Sequence, residues 1–435
     1  MILSKFLNQN VKTNEINFFS FLVYLIPIAL VTGPFLPDLI ISVIAFYYLY
    51  ICYKKKSFLY FDLKYTRLFI LFYFFIIANS FNTDDILYSL KTSIFYIRFL
   101  FFSLSVVYLS SLNKNFYKFF FYFLSLTFLI LVFDSFVQII FDKNLFGYEI
   151  HRSKDAIIQI NTLRVSSFFG EELILGSFLS RLLFLLIGLY FYLKINHKFF
   201  FIFVLSVIVV VYYSGERTAF AIILFCILYN IFLNNLQRKK FIYLVLFLFP
   251  IIICISYLNS NLMNRMIKSA FFFINNNQVQ SFKPIENFII FTPDHHELYV
   301  ASYKMILDKP MFGHGFKSFR FICKNKKYYR SISSCSTHPH NILVQFFVEL
   351  GIAGSIFLFL IYFYLLKEFF LIFRIKNKSE YSNTLIFKIS LLSIISANMF
   401  PFFPSGNFFN NWITIIYFLP VSFYFSLLIN SKNLE

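Results

Sequence analysis

Two histidines flank a proline in the segment CSTHPHN, Cys335 to Asn341, just ahead of a long apolar run. Histidine titrates near neutrality and can take a proton from a hydroxyl. His338 and His340 are therefore the candidate catalytic pair. Pro339 suits the first turn of a helix, where its missing N–H costs nothing. The spacing predicts a helix whose free N–H groups and dipole face an anion such as a phosphate. Beyond the histidines, Asn341, Gln345 and Glu349 recur every fourth residue and form one polar stripe on an oily helix. Such a stripe is expensive in lipid, so it faces the bundle interior or a wet cavity. An architectural reading stays open, in which the histidines cap the helix and the stripe joins helices.

Two further segments gather polar chemistry. In YYSGERTAF, Tyr212 to Phe220, Ser214 and Gly215 make a tight turn and Arg217 opens the next helix. That arginine either snorkels at the bilayer surface or binds a phosphate with its planar fork. In RVSSFFGEELILGSFLSRLL, Arg164 precedes a helix, Glu172 sits near its start and Arg181 lies about two turns in. A charge at Arg181 is costly without a partner, as it is at Arg98 and Asp134, which also lie in apolar runs.

The elements that must position these groups are membrane helices. The chain has 435 residues, 59% hydrophobic, 23% aromatic and 14% charged. A soluble domain carries about 25% charged residues. Hydropathy predicts an all-α polytopic membrane protein with about twelve transmembrane helices. The expected spans are 17–33, 37–53, 67–80, 94–111, 117–141, 172–193, 199–213, 217–234, 241–258, 342–366, 384–402 and 411–430. Connections such as CYKKKSFLYFDLKYTR and NNLQRKK are basic, while the alternating ones, such as NTDD and FPSGNFFNN, are not. By the positive-inside rule both termini are cytoplasmic. The net charge of +19 then serves orientation and implies no nucleic-acid partner. The N-terminal stretch lacks the features of a cleavable signal peptide.

One membrane domain accounts for residues 1–435, with a periplasmic cap at 259–341 inserted between helices 9 and 10. A second outward segment runs from Asp142 to Glu171. In the cap, ELYVASYKMILDKPMFGHGF predicts an amphipathic helix, with Tyr299, Tyr303 and Ile306 at helical spacing, ending before Pro310 and Gly313. The cap is rich in basic residues, including Arg265, Lys268, Lys283, Lys317, Arg320 and Arg330. Long loops are exempt from the orientation bias, so attraction to anionic head groups or a polyanionic glycolipid is the simplest reason for them. Of the five cysteines, Cys323 and Cys335 lie in this loop. An oxidising compartment predicts a disulfide between them; free thiols and a zinc site with the nearby histidines are the alternatives.

These residues resemble the O-antigen ligase and polymerase superfamily. HPHN followed by Gln345, Glu349, Gly351 and Gly354 carries the resemblance, with DKPMFGHGFKSF, SGERTA and RVSSFFGEELILGSFL upstream. It runs in order from Arg164 to Gly354. The resemblance implies periplasmic glycosyl transfer in the bacterial inner membrane. The donor is a glycan on undecaprenyl pyrophosphate. The acceptor is a lipid A–core sugar for a ligase, or another lipid-linked glycan for a polymerase. It implies inversion at the anomeric carbon with no metal and no cofactor. It assigns Arg217 and Arg164 to the pyrophosphate and His338 to the base, with His340 the other candidate. The family's arginine ahead of the cap helix is absent, and His295 stands in its place. A protein oligosaccharyltransferase shares these motifs. A lipid or glycolipid transporter would want broken helices and polar groups at mid-membrane.

Overall fold

A computed structural model describes residues 13–58, 60–61, 63–154, 161–268, 293–375 and 382–431. It is helical nearly throughout. In chain order the principal helices are α1 Thr13–Val31, α2 Phe35–Lys55, α3 Lys64–Asn79, α4 Ile86–Ile94, α5 Arg98–Leu112 and α6 Phe116–Phe141. They continue as α7 Leu175–Tyr192, α8 Phe200–Tyr213, α9 Arg217–Leu233, α10 Arg238–Leu258 and α11 Pro293–Asp308. The last are α12 Ile342–Ile375, α13 Asn383–Asn398 and α14 Asn411–Ser431.

Among the described residues, eight helices are long and apolar enough to cross a membrane, with α4 and α5 taken as one. α8, α9 and α13 are apolar but shorter. The 14 residues of α8 rise only ~21 Å, against a hydrocarbon core of about 30 Å. Length and composition thus qualify eight of the described helices, and the expected count of about twelve is not confirmed. The span expected at 94–111 begins earlier. Asp85 accepts from the Tyr88 N–H at 3.0 Å and caps α4, and a 3-10 turn at Phe95–Ile97 joins it to α5. α7 starts at Leu175 rather than 172, and α12 runs past 366.

The apolar runs pack into one large core, centred on α7, which is buried from Phe178 through Leu189. Two of the charges in apolar runs find partners. Arg98 pairs with Asp38 at 2.6 Å, joining α5 to α2. Asp134 accepts from the Leu145 N–H at 2.9 Å, from Asn144 Nδ2 at 3.1 Å and from Ser167 Oγ at 2.5 Å. With Gln138, whose Oε1 accepts from the Ser166 and Ser167 amides, it pins the 142–174 segment onto the end of α6. That segment contains an antiparallel pair of strands, β1 His151–Lys154 with β2 Asn161–Arg164, which the all-α reading did not anticipate. Arg164 therefore ends a strand rather than leading into a helix.

In the described part of the cap, Leu298, Met305, Phe319, Ile322, Cys323 and Tyr328 pack against Val348 of α12. Cys323 and Cys335 are bonded to each other. The buried face of α11 is Leu298, Ala301, Ser302 and Met305; Tyr303, expected on the apolar face, is 53% exposed. Lys283 lies outside the described residues.

α12 is not continuous. Gly351 sits at φ 65°, ψ −166°, and breaks the helix. The segment Pro310–Gly315 crosses there and takes the backbone groups the break releases. The His314 and Gly315 amides donate to the Val348 and Glu349 carbonyls, both at 2.9 Å. The Ile352 and Ala353 amides donate to the Pro310 and Met311 carbonyls at 2.9 and 3.0 Å. A side chain on Gly351 or on Gly313 would meet the opposing backbone at 2.5 Å. This contact explains why the two glycine-bearing motifs occur together. The break is filled by protein backbone, which is how irregular backbone is tolerated at membrane depth.

Candidate active site

The site is built around the turn Ser214–Gly215–Glu216 between α8 and α9. Arg164, at the end of β2, donates from Nε to the Ser214 carbonyl and from Nη2 to the Leu173 carbonyl, each at 2.9 Å. Arg265, just beyond α10, donates to the Gly215 carbonyl at 3.2 Å. Gly215 has φ 68°, and a Cβ there would lie 2.8 Å from Arg164 Cγ and 3.2 Å from Arg265 Cγ. Only glycine lets both arginines close over this turn.

Glu216 reaches across to the start of α7. Its carboxylate accepts from the Gly176 and Ser177 amides at 2.8 and 3.1 Å and from Ser177 Oγ at 2.6 Å. A negative group at a helix N-terminus is favourable on dipole and hydrogen-bond grounds. Burial pushes the Glu216 pKa up, against the Ser177 bond and the nearby Arg164. Burial likewise pulls Arg164 down to about 10, opposed by Glu216, which lies 4.0 Å away.

Above this turn lies a cavity of about 480 Å³. Arg164, Arg181, Arg217 and Arg265 line it, with Glu216 the one carboxylate on its wall among the described residues. His295, His340 and the segment Phe403–Gly406 complete the wall. The His295 and His340 rings are 5.7 Å apart, and those of His338 and His340 4.1 Å.

The two motif histidines play different parts. His338 is buried behind the wall. Its Nε2 donates to the Ser405 carbonyl at 3.1 Å, which leaves Nδ1 to accept from the Thr337 hydroxyl at 2.9 Å. Burial, then the neighbouring His340, pulls its pKa down to about 3. His340 faces the cavity and is half-buried. Its carbonyl accepts from the Ser405 amide at 2.8 Å and its Nε2 lies 3.3 Å from Ser336 Oγ. Burial lowers its pKa too, so the imidazole is neutral near pH 7.

His340 has φ 53°, which a helix cannot accommodate. The expectation that Pro339 occupies the first helical turn is corrected: α12 starts at Ile342. Asn341 Oδ1 accepts from the Val344 N–H at 3.0 Å, so the helix N-terminus is capped from within. The polar stripe also has a defined task. Gln345 donates to Glu349 at 3.0 Å and to Asn407 Oδ1 at 2.9 Å, and accepts from the Phe408 amide at 3.0 Å. Asn341 donates to the Pro401 carbonyl at 2.7 Å, and Glu349 accepts from the Phe319 amide at 3.3 Å. The stripe straps the 401–410 segment and the cap to α12, and so fixes the cavity wall.

The cavity brings Arg164, Arg217, His295 and His340 together and leaves out Glu172, which is exposed ahead of α7. The carboxylate in the site is Glu216, whose signal was its place in SGER directly before the helix-opening arginine. The basic cap residues divide. Arg330 bonds Glu297 at 3.2 Å, Arg320 lies over the Tyr88 ring and Lys317 is buried, which pulls its amine down to about 8. Arg330 thus ties parts of the cap together, Arg320 ties the cap to α4, and Arg265 lines the cavity. No feature of FPSG in the sequence marked Phe403–Gly406 as cavity wall. Among the described residues no cluster of histidine, cysteine and acidic groups could hold a metal ion.

Fold and site together define a multi-pass helical membrane protein with a strongly cationic cavity at the ends of its helices. Residues 201–359 match the family model described as O-antigen ligase. The matched segment, which carries Arg217, Arg265, His295 and both motif histidines, is thus similar to the O-antigen ligase family and supports a ligase- or polymerase-type function in general. It covers about a third of the chain. No curated protein matches the chain.

Proposed function

We propose that the protein is an O-antigen ligase. It transfers a glycan from undecaprenyl pyrophosphate to lipid A–core at the periplasmic face of the inner membrane. The observation that carries this reading is the convergence of four arginines and a neutral histidine on one cavity. A pyrophosphate ester is already a good leaving group, so the protein's task is to hold the anion and accept one proton. His340 takes the acceptor hydroxyl proton. The hydroxyl oxygen attacks the anomeric carbon from the far side, the carbon–oxygen bond to the pyrophosphate breaks, and that oxygen keeps the electron pair. Arg217 and Arg265 neutralise the departing charge. Arg164, tied to two carbonyls, holds the turn beneath them, and His338 fixes Ser405 and the ring beside it. Neither a metal nor a cofactor enters these steps.

The same cavity would serve a polymerase or a protein oligosaccharyltransferase, which differ in acceptor. Glycan profiling after gene deletion, with rescue by wild type, His340→Gln and Arg217→Ala, separates them. Bare lipid A–core with accumulated polymerised lipid-linked glycan identifies a ligase; lipid A–core capped by one repeat identifies a polymerase. Loss of the base should cost about 10²–10⁴-fold in rate. An unchanged profile on deletion returns the transporter reading, and full rescue by His340→Gln removes the base assignment.

A further inference from the structure

Arg181 is a buried cation that the steps above do not use. It lies six residues into α7, so its Cα is ~9 Å deeper than the helix start that Glu216 caps. The residue is 4% exposed. Its guanidinium turns back toward the helix start, with Nη1 3.4 Å from the Ser177 carbonyl and the Tyr417 ring 5.9 Å away. Among the described residues its Nε has no hydrogen-bond partner. A guanidinium carries five N–H donors, and leaving them unmet in an apolar bundle is costly. Among the described residues Glu216 is the one carboxylate on the cavity wall; it feels the Arg181 charge, but its oxygens are already bonded to Gly176 and Ser177. The hydroxyl of Ser405, on the same wall, is also buried without a partner.

We propose that Arg181 and Ser405 form a second, deeper anion subsite, so that the cavity selects a diphosphate over a single phosphate. Arg217 and Arg265 hold the phosphate nearer the sugar, and Arg181 with Ser405 the one nearer the lipid. This assignment rests on the lipid-linked donor proposed above. A planar fork suits two phosphate oxygens at once, which a lysine cannot match.

The test is binding of farnesyl diphosphate and farnesyl monophosphate to the full-length protein in nanodiscs. Wild type should prefer the diphosphate. Arg181→Gln should weaken diphosphate binding by about tenfold or more and monophosphate binding by less than about twofold. Should Arg181→Gln not fold, Arg181→Lys and Ser405→Ala carry the comparison, each narrowing the preference by about threefold. An unchanged preference in these variants, or equal binding of the two probes by wild type, overturns the subsite and leaves the donor reading standing. A wild-type protein that binds neither probe overturns both.

Discussion

Replacing Gly351 by alanine tests the joint between the cap and the membrane helices. Two costs add. A residue with a side chain at φ 65°, ψ −166° carries backbone strain of about 1–3 kcal/mol. The new Cβ also lies 2.5 Å from the Gly313 nitrogen and the Met311 carbonyl, so the crossing segment must move away. Four backbone hydrogen bonds hold that segment. Losing two of them costs roughly 0.5–1.5 kcal/mol each, for a total of roughly 2–6 kcal/mol. Gly33→Ala is the control: its φ is 110° but a Cβ there meets nothing within 4 Å, so only strain is added. The assay is the apparent unfolding midpoint of purified protein at a fixed scan rate. Gly351→Ala should fall clearly below Gly33→Ala, and Gly313→Ala should resemble Gly351→Ala because it breaks the same contact from the other side. The double variant should lose little more than either single one. Equal midpoints for Gly351→Ala and Gly33→Ala would refute the argument.

Two further predictions concern the histidine segment. Folded His338 resists a proton until about pH 3, whereas the unfolded chain takes one near 6.5. Its contribution is therefore present above 6.5 and is lost as pH falls toward 3, reaching about 2 kcal/mol at pH 5. The stability slope of His338→Gln between pH 7 and 5 should be shallower by that amount, and an unchanged slope would show that His338 is not the group titrating. Reducing the Cys323–Cys335 bond, which spans 12 residues, should lower stability by about 3 kcal/mol. It should also lower transfer, since Cys335 lies three residues before His338; the Cys323→Ser, Cys335→Ser variant should lose its response to reductant, and equal sensitivity would locate the effect elsewhere.

Much of the site's chemistry was legible along the chain because it is local. Gly215 and Arg217 are adjacent to the turn they build, and Asn341, Gln345 and Glu349 announce one face by their four-residue spacing. Other features were illegible because their partners are distant in sequence. Glu216 reads as one more residue of SGER until the start of α7 is seen against it. Ser405 carries no motif at all, yet it holds both histidines through its backbone. A sequence shows the charge of Arg164 but not its commitments: two carbonyls hold it while it lines the cavity.

The amino-acid sequence by itself determined the all-α membrane class, since runs this apolar have no other place to be, and it marked the polar segments as special, since charge in such runs must be compensated. It could not determine which of two histidines, two residues apart, faces the cavity. That was decided by the positive φ at His340 and by the Ser405 backbone, which lies far along the chain and receives His338. Nor could it show the break at Gly351, because a helix ends there only where a second stretch of backbone arrives to take up its hydrogen bonds.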